Sequence, residues 1–277
     1  MPATLIALLT DFGTADGYVA SMKGVILGIL PEATLVDVTH EIAPQDVAQG
    51  AFVLGSVYRF FPADTIFVAV VDPGVGTSRR ALLVVTPHGR FVAPDNGLLT
   101  YVMGQEQRPQ APIETRLFSP LEAAVPPTWK AIALSGPEYW RQPVSATFHG
   151  RDIFAPVAAH LARGVPPEEL GEEVSSLTVL HVPPPVRVGE TLRGLVLHVD
   201  RFGNLVTNVP AEELPQGSVR VKVGSATIEG LSATYGEGRG LVALVGSHGY
   251  VEIALVGGSA AQLLGVGVGA AVETNDR

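Results

Sequence analysis

The run from Thr65 to Val71, Thr-Ile-Phe-Val-Ala-Val-Val, is apolar at every position after the first. A strand with this pattern is covered on both faces, which is typical of a parallel strand at the centre of a sheet. Around it, short β-branched runs alternate with segments of helical periodicity over the first two-thirds of the chain. This alternation predicts an α/β layered domain with a mostly parallel central sheet.

The spacing of apolar residues places the elements of this domain. Strands are predicted at 5–10, 35–38 and 65–71, and helices at 46–58, at 152–163 and from Asp16, which is placed to cap the first helix. The proline-rich stretch 104–145 has no clear periodicity, so its elements stay unassigned.

The pattern changes after Val182-Pro-Pro-Pro-Val186, a stiff segment that indicates a boundary. We predict an α/β N-terminal domain at 1–182, a proline-rich linker at 183–190 and a smaller all-β, barrel-like domain at 191–277. Short strands separated by glycine turns are predicted there at 194–200, 205–209, 219–223, 241–245 and 250–255, without a helix.

Composition excludes several classes of function. The net charge of −9 over 277 residues gives no basic field for nucleic acid. With no cysteine, disulfides and thiolate metal sites are excluded, and no HExxH motif indicates a catalytic metal. Neither a signal-peptide pattern nor an apolar run of about 20 residues is present, which predicts a cytoplasmic protein with no membrane partner.

Ligands of open α/β sheets bind beyond the carboxyl ends of the strands, so polar residues there are candidates. Asp11 follows the first predicted strand, and Asp72 follows the strongest one, with Arg79 close enough in the chain to pair with it. His149 precedes Gly150 in a loop where backbone could approach a ligand. The sequence leaves open a turn aspartate, a structural ion pair and a structural histidine at these places.

One turn of the second domain also stands out, because Phe202-Gly203-Asn204 puts an aromatic ring and an amide together. Such a pair could stack on a flat heterocycle and hydrogen-bond its edge. A hairpin turn with a core phenylalanine is the alternative.

Six segments taken in order resemble one family over most of the chain. They are TDFGTADGYVASMKG, VDVTHEIAPQDV, VDPGVGTSRR, APDNGLLT, TFHGRDIFAP and VDRFGNLVTN. The family is the S-adenosyl-L-methionine (SAM) hydroxide adenosyltransferases, hydrolase relatives of the fluorinating and chlorinating enzymes. The resemblance implies an α/β domain followed by a β-barrel domain, and a homotrimer with active sites between subunits.

The resemblance also implies roles for individual residues. Asp72, Arg79 and His149 match the trio that activates water, and Asp11 matches the carboxylate that holds the ribose hydroxyls. Other matched positions contact the substrate's adenine (Phe148, Phe202 and Asn204), its methionine ammonium (Asp16 and Asp200) or its methionine carboxylate (Ser247). No cofactor is implied, because SAM is the substrate and adenosine a product.

Several differences favour water over halide as the nucleophile. The fluorinating relatives carry tyrosine at the positions of Asp72 and His149, and a halide-holding serine where this chain has Gly150. They also contain an extra loop after the position of Arg80. One departure concerns the methionine carboxylate, because the halogenases have arginine at the position of His248.

The sequence thus predicts hydrolysis of SAM to adenosine and methionine, with Asp72 and His149, positioned by Arg79, taking the proton of a water that attacks C5′. Three alternatives stay open at this point. They are a chloride-dependent adenosyltransferase, a non-catalytic adenosine or SAM binding protein, and a metal-dependent nucleotide hydrolase.

Overall fold

The computed structural model describes residues 5–112, 115–215 and 219–276. The chain divides into two compact units, Met1–His181 and Val182–Arg277. Within the stretch 183–190, which the sequence indicated as a linker, Val186–Val188 forms a strand. No helix among the described ranges combines the length and apolar character that a membrane crossing requires.

The first unit is built on a seven-stranded sheet. The strands of this unit are β1 (Leu5–Thr10), β2 (Thr34–Thr39), β3 (Ile66–Val70), β4 (Ala81–Thr86), β5 (Gly89–Pro94), β6 (Pro120–Ala124), β7 (Lys130–Leu134), β8 (Gly171–Glu173) and β9 (Ser176–Leu180). The sheet order is β2-β1-β3-β5-β4-β7-β8, and β6 pairs with β9 separately. The strands predicted in the first third of the chain are thus confirmed.

The sheet is mixed, so the prediction of a mostly parallel sheet holds for only one half of it. Strands β2, β1, β3 and β5 run parallel, whereas β5-β4, β4-β7 and β7-β8 are antiparallel. Thr86 pairs with Gly89 across a tight hairpin between β4 and β5. A connection this short cannot return a strand in the parallel sense, which needs a crossover of a dozen or more residues.

Helices cover both faces of the parallel half, as the apolar run predicts. They are α1 (Tyr18–Ile29), α2 (Val47–Val57) and α3 (Ala155–Ala162). Alternate residues of β3 point to opposite cores: Ile66 packs in the cluster that includes Met22 of α1, and Phe67 packs in the cluster that includes Leu54 of α2. Every residue of β3 is at most 1% exposed, which makes this strand the centre of the unit.

The first residue of one helix agrees with the sequence prediction, and the first residues of the other two differ from it. Asp46 caps α2, its side chain accepting a hydrogen bond from the Gln49 amide at 2.9 Å. The predicted cap of α1 by Asp16 is wrong, because the helix begins at Tyr18 and Gly17 takes the cap position. The helix predicted from Asp152 starts earlier, as a π-helical turn at Gly150–Phe154 that leads into α3.

The strands of the second unit pair antiparallel throughout, but the prediction that this unit has no helix is wrong, because it contains a short α-helix. Its elements are β10 (Val186–Val188), β11 (Thr191–Val199), β12 (Leu205–Pro210), β13 (Val219–Val223), β14 (Ala226–Glu229), β15 (Leu241–Val245), β16 (Tyr250–Leu255), β17 (Ala271–Asp276) and the short helix α4 (Ala260–Leu264). The order is β14-β13-β17-β11-β12-β16-β15, with β10 beside β11. Ser232, just after β14, donates to the Ala243 carbonyl of β15 at 2.8 Å, so the sheet curls into a nearly closed barrel, as predicted.

Candidate active site

Arg79 joins Asp72 and His149 into one hydrogen-bonded cluster. Its Nε donates to Asp72 Oδ1 at 2.9 Å and to Oδ2 at 3.0 Å, and its Nη2 also donates to Oδ2. The same Nη2 contacts Nδ1 of His149 at 2.8 Å. The side chains of Asp72 and Arg79 are only 5% and 11% exposed, so little water screens the pair. The sequence prediction that these three residues converge therefore agrees with the geometry.

The local fold explains why they meet. Asp72 lies two residues after the end of β3, and Arg79 lies two residues before the start of β4, so the loop between these strands folds back on itself. Gly76 in this loop has φ of +76°, and a Cβ there would lie 2.4 Å from the Ala146 carbonyl oxygen, so glycine is required. The Arg79 guanidinium also lies over the ring of Phe154, 5.3 Å from its centroid.

The contact with Arg79 fixes the protonation state of His149. Arginine has no acceptor atom, so Nδ1 of His149 must accept and the ring must be neutral, with its proton on Nε2. Burial and the positive charge of Arg79 lower the pKa of His149, against the weaker opposing charges of Asp72 and Asp152. The lowered pKa of His149 and the hydrogen bond that it accepts from Arg79 thus both indicate a neutral imidazole.

We expect NMR titration to place the midpoint of His149 below its ordinary value of about 6.5. Replacing Arg79 with glutamine should raise the midpoint, because a positive charge that disfavours protonation is removed. A wild-type midpoint at or above the ordinary value, or one that Arg79→Gln leaves unchanged, would contradict this description of the pair.

A buried carboxylate holds the segment that carries His149. Asp152 is 0% exposed and accepts from Arg151 Nε at 2.7 Å and Nη2 at 2.8 Å, and from the Ser145 amide at 2.9 Å. Arg141 Nη1 reaches the same carboxylate at 3.3 Å. Burial raises the pKa of Asp152, but the hydrogen bonds and the arginine charges outweigh it and bring the pKa below its ordinary value. Asp152 was not among the predicted site residues, although it lies in the TFHGRD segment.

The first unit also contains four of the other predicted substrate-binding residues, Asp11, Asp16, Phe148 and Gly150. Asp11 follows β1, and its Oδ2 accepts a hydrogen bond from the Gln45 amide at 2.7 Å, which leaves Oδ1 outside this contact. Phe148 packs against Phe12 and Tyr18, with ring centroids 5.7 and 5.2 Å away. Asp16 is exposed before α1.

Gly150 lies directly against the neighbouring core. A Cβ at this position would come within 3.2 Å of Met22 Sδ and of the Phe12 ring. A serine there would need both neighbours to move. The glycine therefore follows from close packing as well as from the backbone proximity that the sequence suggested.

In the second unit, the turn after β11 has the predicted arrangement of ring and amide. Asp200 Oδ1 accepts from the amides of Phe202 and Asn204 at 2.8 and 2.9 Å, and Oδ2 accepts from Asn204 Nδ2 at 2.9 Å. Gly203 has φ of +83° at the tip. Phe202 is 76% exposed, so it is not the core phenylalanine of the alternative reading.

A cavity of about 640 Å³ opens beside this turn. Asp200, Phe202, Asn204 and Tyr235 line it, together with the backbone-rich segment Leu255-Val256-Gly257-Gly258. Its volume and apolar lining fit a small organic ligand. Tyr235 was not predicted from the sequence, because its turn at 235–237 lies outside every quoted motif.

Tyr235 connects the cavity to the predicted methionine-binding residues. Its hydroxyl donates to Glu252 Oε1 at 2.7 Å, and this hydrogen bond, with burial and the Glu252 charge, raises the pKa of Tyr235 to about 12. Glu252 Oε2 also lies 3.6 Å from Nε2 of His248. Ser247 is exposed in the adjoining turn. Across the described ranges, no group of three or more histidine, aspartate and glutamate side chains is arranged to hold a metal ion.

Comparison with known proteins gives consistent matches over the whole chain. Residues 6–171 match the SAM hydroxide adenosyltransferase N-terminal domain, and residues 194–273 match the C-terminal domain. A protein of Salinispora arenicola named (R)-S-adenosyl-L-methionine hydrolase is 40% identical over 268 residues, which are 94% of each chain. A Thermus thermophilus protein of the same name is 40% identical over 265 residues, covering 94% of this chain and 95% of its own.

A fluorinase and a solved structure complete the comparison. The fluorinase of Actinoplanes sp. is 32% identical over 249 residues, which are 79% of this chain and 77% of its own. The crystal structure of an uncharacterized conserved protein from Thermotoga maritima superposes with a TM-score of 0.83 at 37% identity. That alignment covers 98% of this chain and 100% of the other.

Proposed function

This chain belongs to the SAM hydroxide adenosyltransferase family, and we propose that it hydrolyses SAM to adenosine and methionine. The observation that carries the proposal is the bridge from Arg79 to both Asp72 and His149. It fixes a carboxylate and a neutral imidazole beside each other at the carboxyl end of the central strand. Two relatives named (R)-S-adenosyl-L-methionine hydrolase, each 40% identical, support the same reaction.

The chemistry needs an oriented water and no acid. Carbon C5′ of SAM carries a sulfonium, which leaves as a neutral thioether without protonation. The water oxygen forms a bond to C5′ as the C5′–sulfur bond breaks, and the sulfur keeps the bonding electron pair. One SAM cation and one water thus give adenosine, methionine and one proton.

We propose that Asp72 takes this proton. The lone pair of His149 Nδ1 already faces Arg79, so the imidazole can only donate, from Nε2, and serves to orient the water. Asp72 Oδ1 accepts one hydrogen bond from Arg79 and keeps room for another. A carboxylate suffices as the acceptor, because the water oxygen becomes strongly acidic as it bonds to carbon. Orientation and general-base help together supply roughly 10 kcal/mol in favourable cases.

Substrate binding is assigned from the family positions and the observed contacts. Oδ1 of Asp11, which does not accept from the Gln45 amide, is proposed to hold the ribose hydroxyls. Phe148 is proposed to pack near the adenosine. Phe202 and Asn204 are proposed to stack on the adenine and bond its edge. The methionine half is assigned to Asp16, Asp200, Ser247 and His248, with Asp200 also holding the adenine turn in shape.

Replacing Phe202 with alanine should raise the KM for SAM about tenfold and change kcat much less, because stacking of a base on an aromatic ring contributes about 1–3 kcal/mol. The ring is 76% exposed, so thermal stability should stay unchanged. Steady-state kinetics with a melting curve would test this. An equal fall in kcat, or an unchanged KM, would contradict the assignment.

The tight packing around Gly150 favours water over halide. The halide-holding serine of the fluorinating relatives would need a Cβ within 3.2 Å of Met22 and Phe12 here. Incubating the protein with the (R) sulfonium form of SAM in ¹⁸O-water tests the choice. We expect ¹⁸O in the 5′-hydroxyl of adenosine and none in methionine.

Other products or conditions would identify the remaining alternatives. Chromatographic detection of 5′-chloro-5′-deoxyadenosine in chloride buffer would replace hydrolysis by halide transfer. Tight adenosine binding with intact SAM would indicate a binding protein, and loss of turnover with chelator would indicate a metal enzyme.

Family resemblance further supports a homotrimer with active sites between subunits, which we propose for this chain. Mixing Asp72→Asn subunits with Phe202→Ala subunits tests it. If each site takes residues from two subunits, reassembled mixtures assayed below the KM of Phe202→Ala should turn over SAM faster than the average of the two variants assayed separately, because some sites regain both native residues. The cytoplasmic location stays a prediction from the sequence.

A further inference from the structure

The segment between β2 and α2 holds the turn that presents Asp11. The turn follows β1, and Gly13, which has φ of +63°, donates its amide to the His40 carbonyl at 2.7 Å. The Gln45 amide donates to Asp11 Oδ2 at 2.7 Å. His40 and Gln45 both lie between the two elements, so this one segment anchors the backbone of the turn and one oxygen of its carboxylate.

Gln45 adopts a strained backbone conformation where it makes this contact. Its φ of +67° lies in the left-handed region, which is uncommon for residues other than glycine. Such strain persists only where the surrounding structure imposes it, and it is concentrated at functional sites. The next residue, Asp46, caps α2 and so fixes the chain on one side of Gln45. The strain therefore agrees with a segment shaped to hold Asp11.

A buried pair of side chains joins β1 to the same segment. Thr10, the last residue of β1, is 0% exposed, and its Oγ1 lies 2.9 Å from Nδ1 of His40, which is 5% exposed. Oγ1 of Thr10 also accepts from the Phe12 amide at 3.3 Å. The Thr10 hydroxyl thus connects the imidazole to the residue that follows Asp11.

The other end of the imidazole indicates which atom of the pair donates. Nε2 of His40 lies 3.0 Å from Asp37 Oδ1, although it is out of line for an ideal hydrogen bond. Burial raises the pKa of Asp37, but its contacts with Lys23 of α1 and with His40 outweigh burial and lower the pKa. An ionised carboxylate only accepts, so the proton of the neutral ring belongs on Nε2. Nδ1 then accepts from the Thr10 hydroxyl.

We propose that the Thr10–His40 hydrogen bond positions Asp11 for the ribose of SAM, so that His40 is a positioning residue. The inference rests on the proposed function, because it takes Asp11 as the carboxylate that holds the ribose hydroxyls. Without the hydrogen bond, the turn after β1 loses its internal support and Oδ1 of Asp11 moves from its place. Recognition of the 2′- and 3′-hydroxyls should then weaken, whereas contacts with the adenine should stay as they are.

Nucleoside binding tests this pair without relying on turnover. Isothermal titration calorimetry would compare adenosine with 2′,3′-dideoxyadenosine, which lacks both ribose hydroxyls. The wild type should bind adenosine at least about tenfold more tightly, because hydrogen bonds to a charged carboxylate are strong. Thr10→Val removes the hydroxyl in nearly the same shape and should weaken adenosine binding about tenfold, with dideoxyadenosine binding unchanged. Thr10→Ser should restore the preference for adenosine.

A second variant removes the hydrogen bond from the other side, and a third gives the matched control. His40→Leu should reduce the adenosine preference as Thr10→Val does, and the double variant should reduce it no further, because both act through one interaction. Thr65 is also 0% exposed in the first unit, and its Oγ1 has no hydrogen-bond partner among the described residues. Thr65→Val should therefore keep the wild-type preference.

The outcomes separate this inference from the proposed hydrolysis. Dideoxyadenosine binding counts the folded protein in each sample, so unfolding cannot imitate a loss of preference. An adenosine preference that Thr10→Val and His40→Leu both leave unchanged would overturn the proposal. An equal loss in Thr65→Val would overturn it too. A wild type that prefers adenosine but forms none from SAM would overturn the hydrolysis alone.

Discussion

Asp72→Asn should lower kcat for SAM hydrolysis by about 10²- to 10⁴-fold, the usual contribution of a general base. The KM should change little, because asparagine has nearly the same shape and Asp72 is not assigned a contact with bound substrate. The amide keeps an oxygen that can accept from Arg79, but it cannot take a proton from water. Steady-state kinetics on a variant with an intact circular dichroism spectrum would measure the loss.

The neighbouring ion pair supplies a matched control. Asp95 pairs with Arg80, its Oδ2 accepting from Nε at 2.8 Å, and its side chain is 5% exposed, as that of Asp72 is. Asp95→Asn therefore makes the same chemical change in an equally buried carboxylate. Its partner, Arg80, is the residue next to Arg79. It should keep kcat near the wild-type value. If both variants lost turnover equally, the loss would be structural and Asp72 would have no chemical role of its own.

Asp152→Ala should lower the free energy of unfolding by about 3 kcal/mol, the lower end of the range for breaking a buried ion pair, because Arg141 and Arg151 reach solvent. The variant leaves two guanidinium groups and the Ser145 amide without their acceptor. For a unit of this size, roughly 10 °C of melting temperature should be lost. Differential scanning calorimetry at neutral pH would measure the shift.

The pH dependence of this loss has a definite sign. The pKa of Asp152 is lowered in the folded protein, so its stabilisation is complete above the ordinary carboxyl value of about 4. It fades as the pH falls below that value and through the lowered pKa. The difference between wild type and Asp152→Ala should therefore shrink in acid. Glu168→Ala is the control, since it breaks the exposed pair with Lys130 in the same unit and should leave the melting temperature close to that of the wild type.

Much of the fold follows from local patterns in the sequence. The six apolar residues after Thr65 identify the central strand, and the Pro-Pro-Pro segment marks the change from mixed to all-β structure. The hairpin of β4 and β5 was not predicted, because its turn at 87–88 lacks the usual hairpin dipeptides. Stretch 104–145 stayed unassigned because its strands β6 and β7 are short and bounded by prolines.

The candidate site was predictable where a motif places a side chain at a strand end, as for Asp72. Partners from distant segments were harder to find. Tyr235 and Glu252 meet across 17 residues of separation. No periodicity encodes such contacts, since they arise from how loops fold over the sheet. The close packing of Gly150 against Met22 was likewise not predictable from the sequence, because it arises only in the folded structure.

The sharing of one guanidinium between Asp72 and His149 constrains how such a site can evolve. Loss of Asp72 would leave Arg79, which is 11% exposed, without its counter-charge in a poorly hydrated place. Loss of the neutral His149 would leave the ion pair intact. An exchange at the position of Asp72 should therefore be accompanied by a change at Arg79 more often among homologues than an exchange at the position of His149 is.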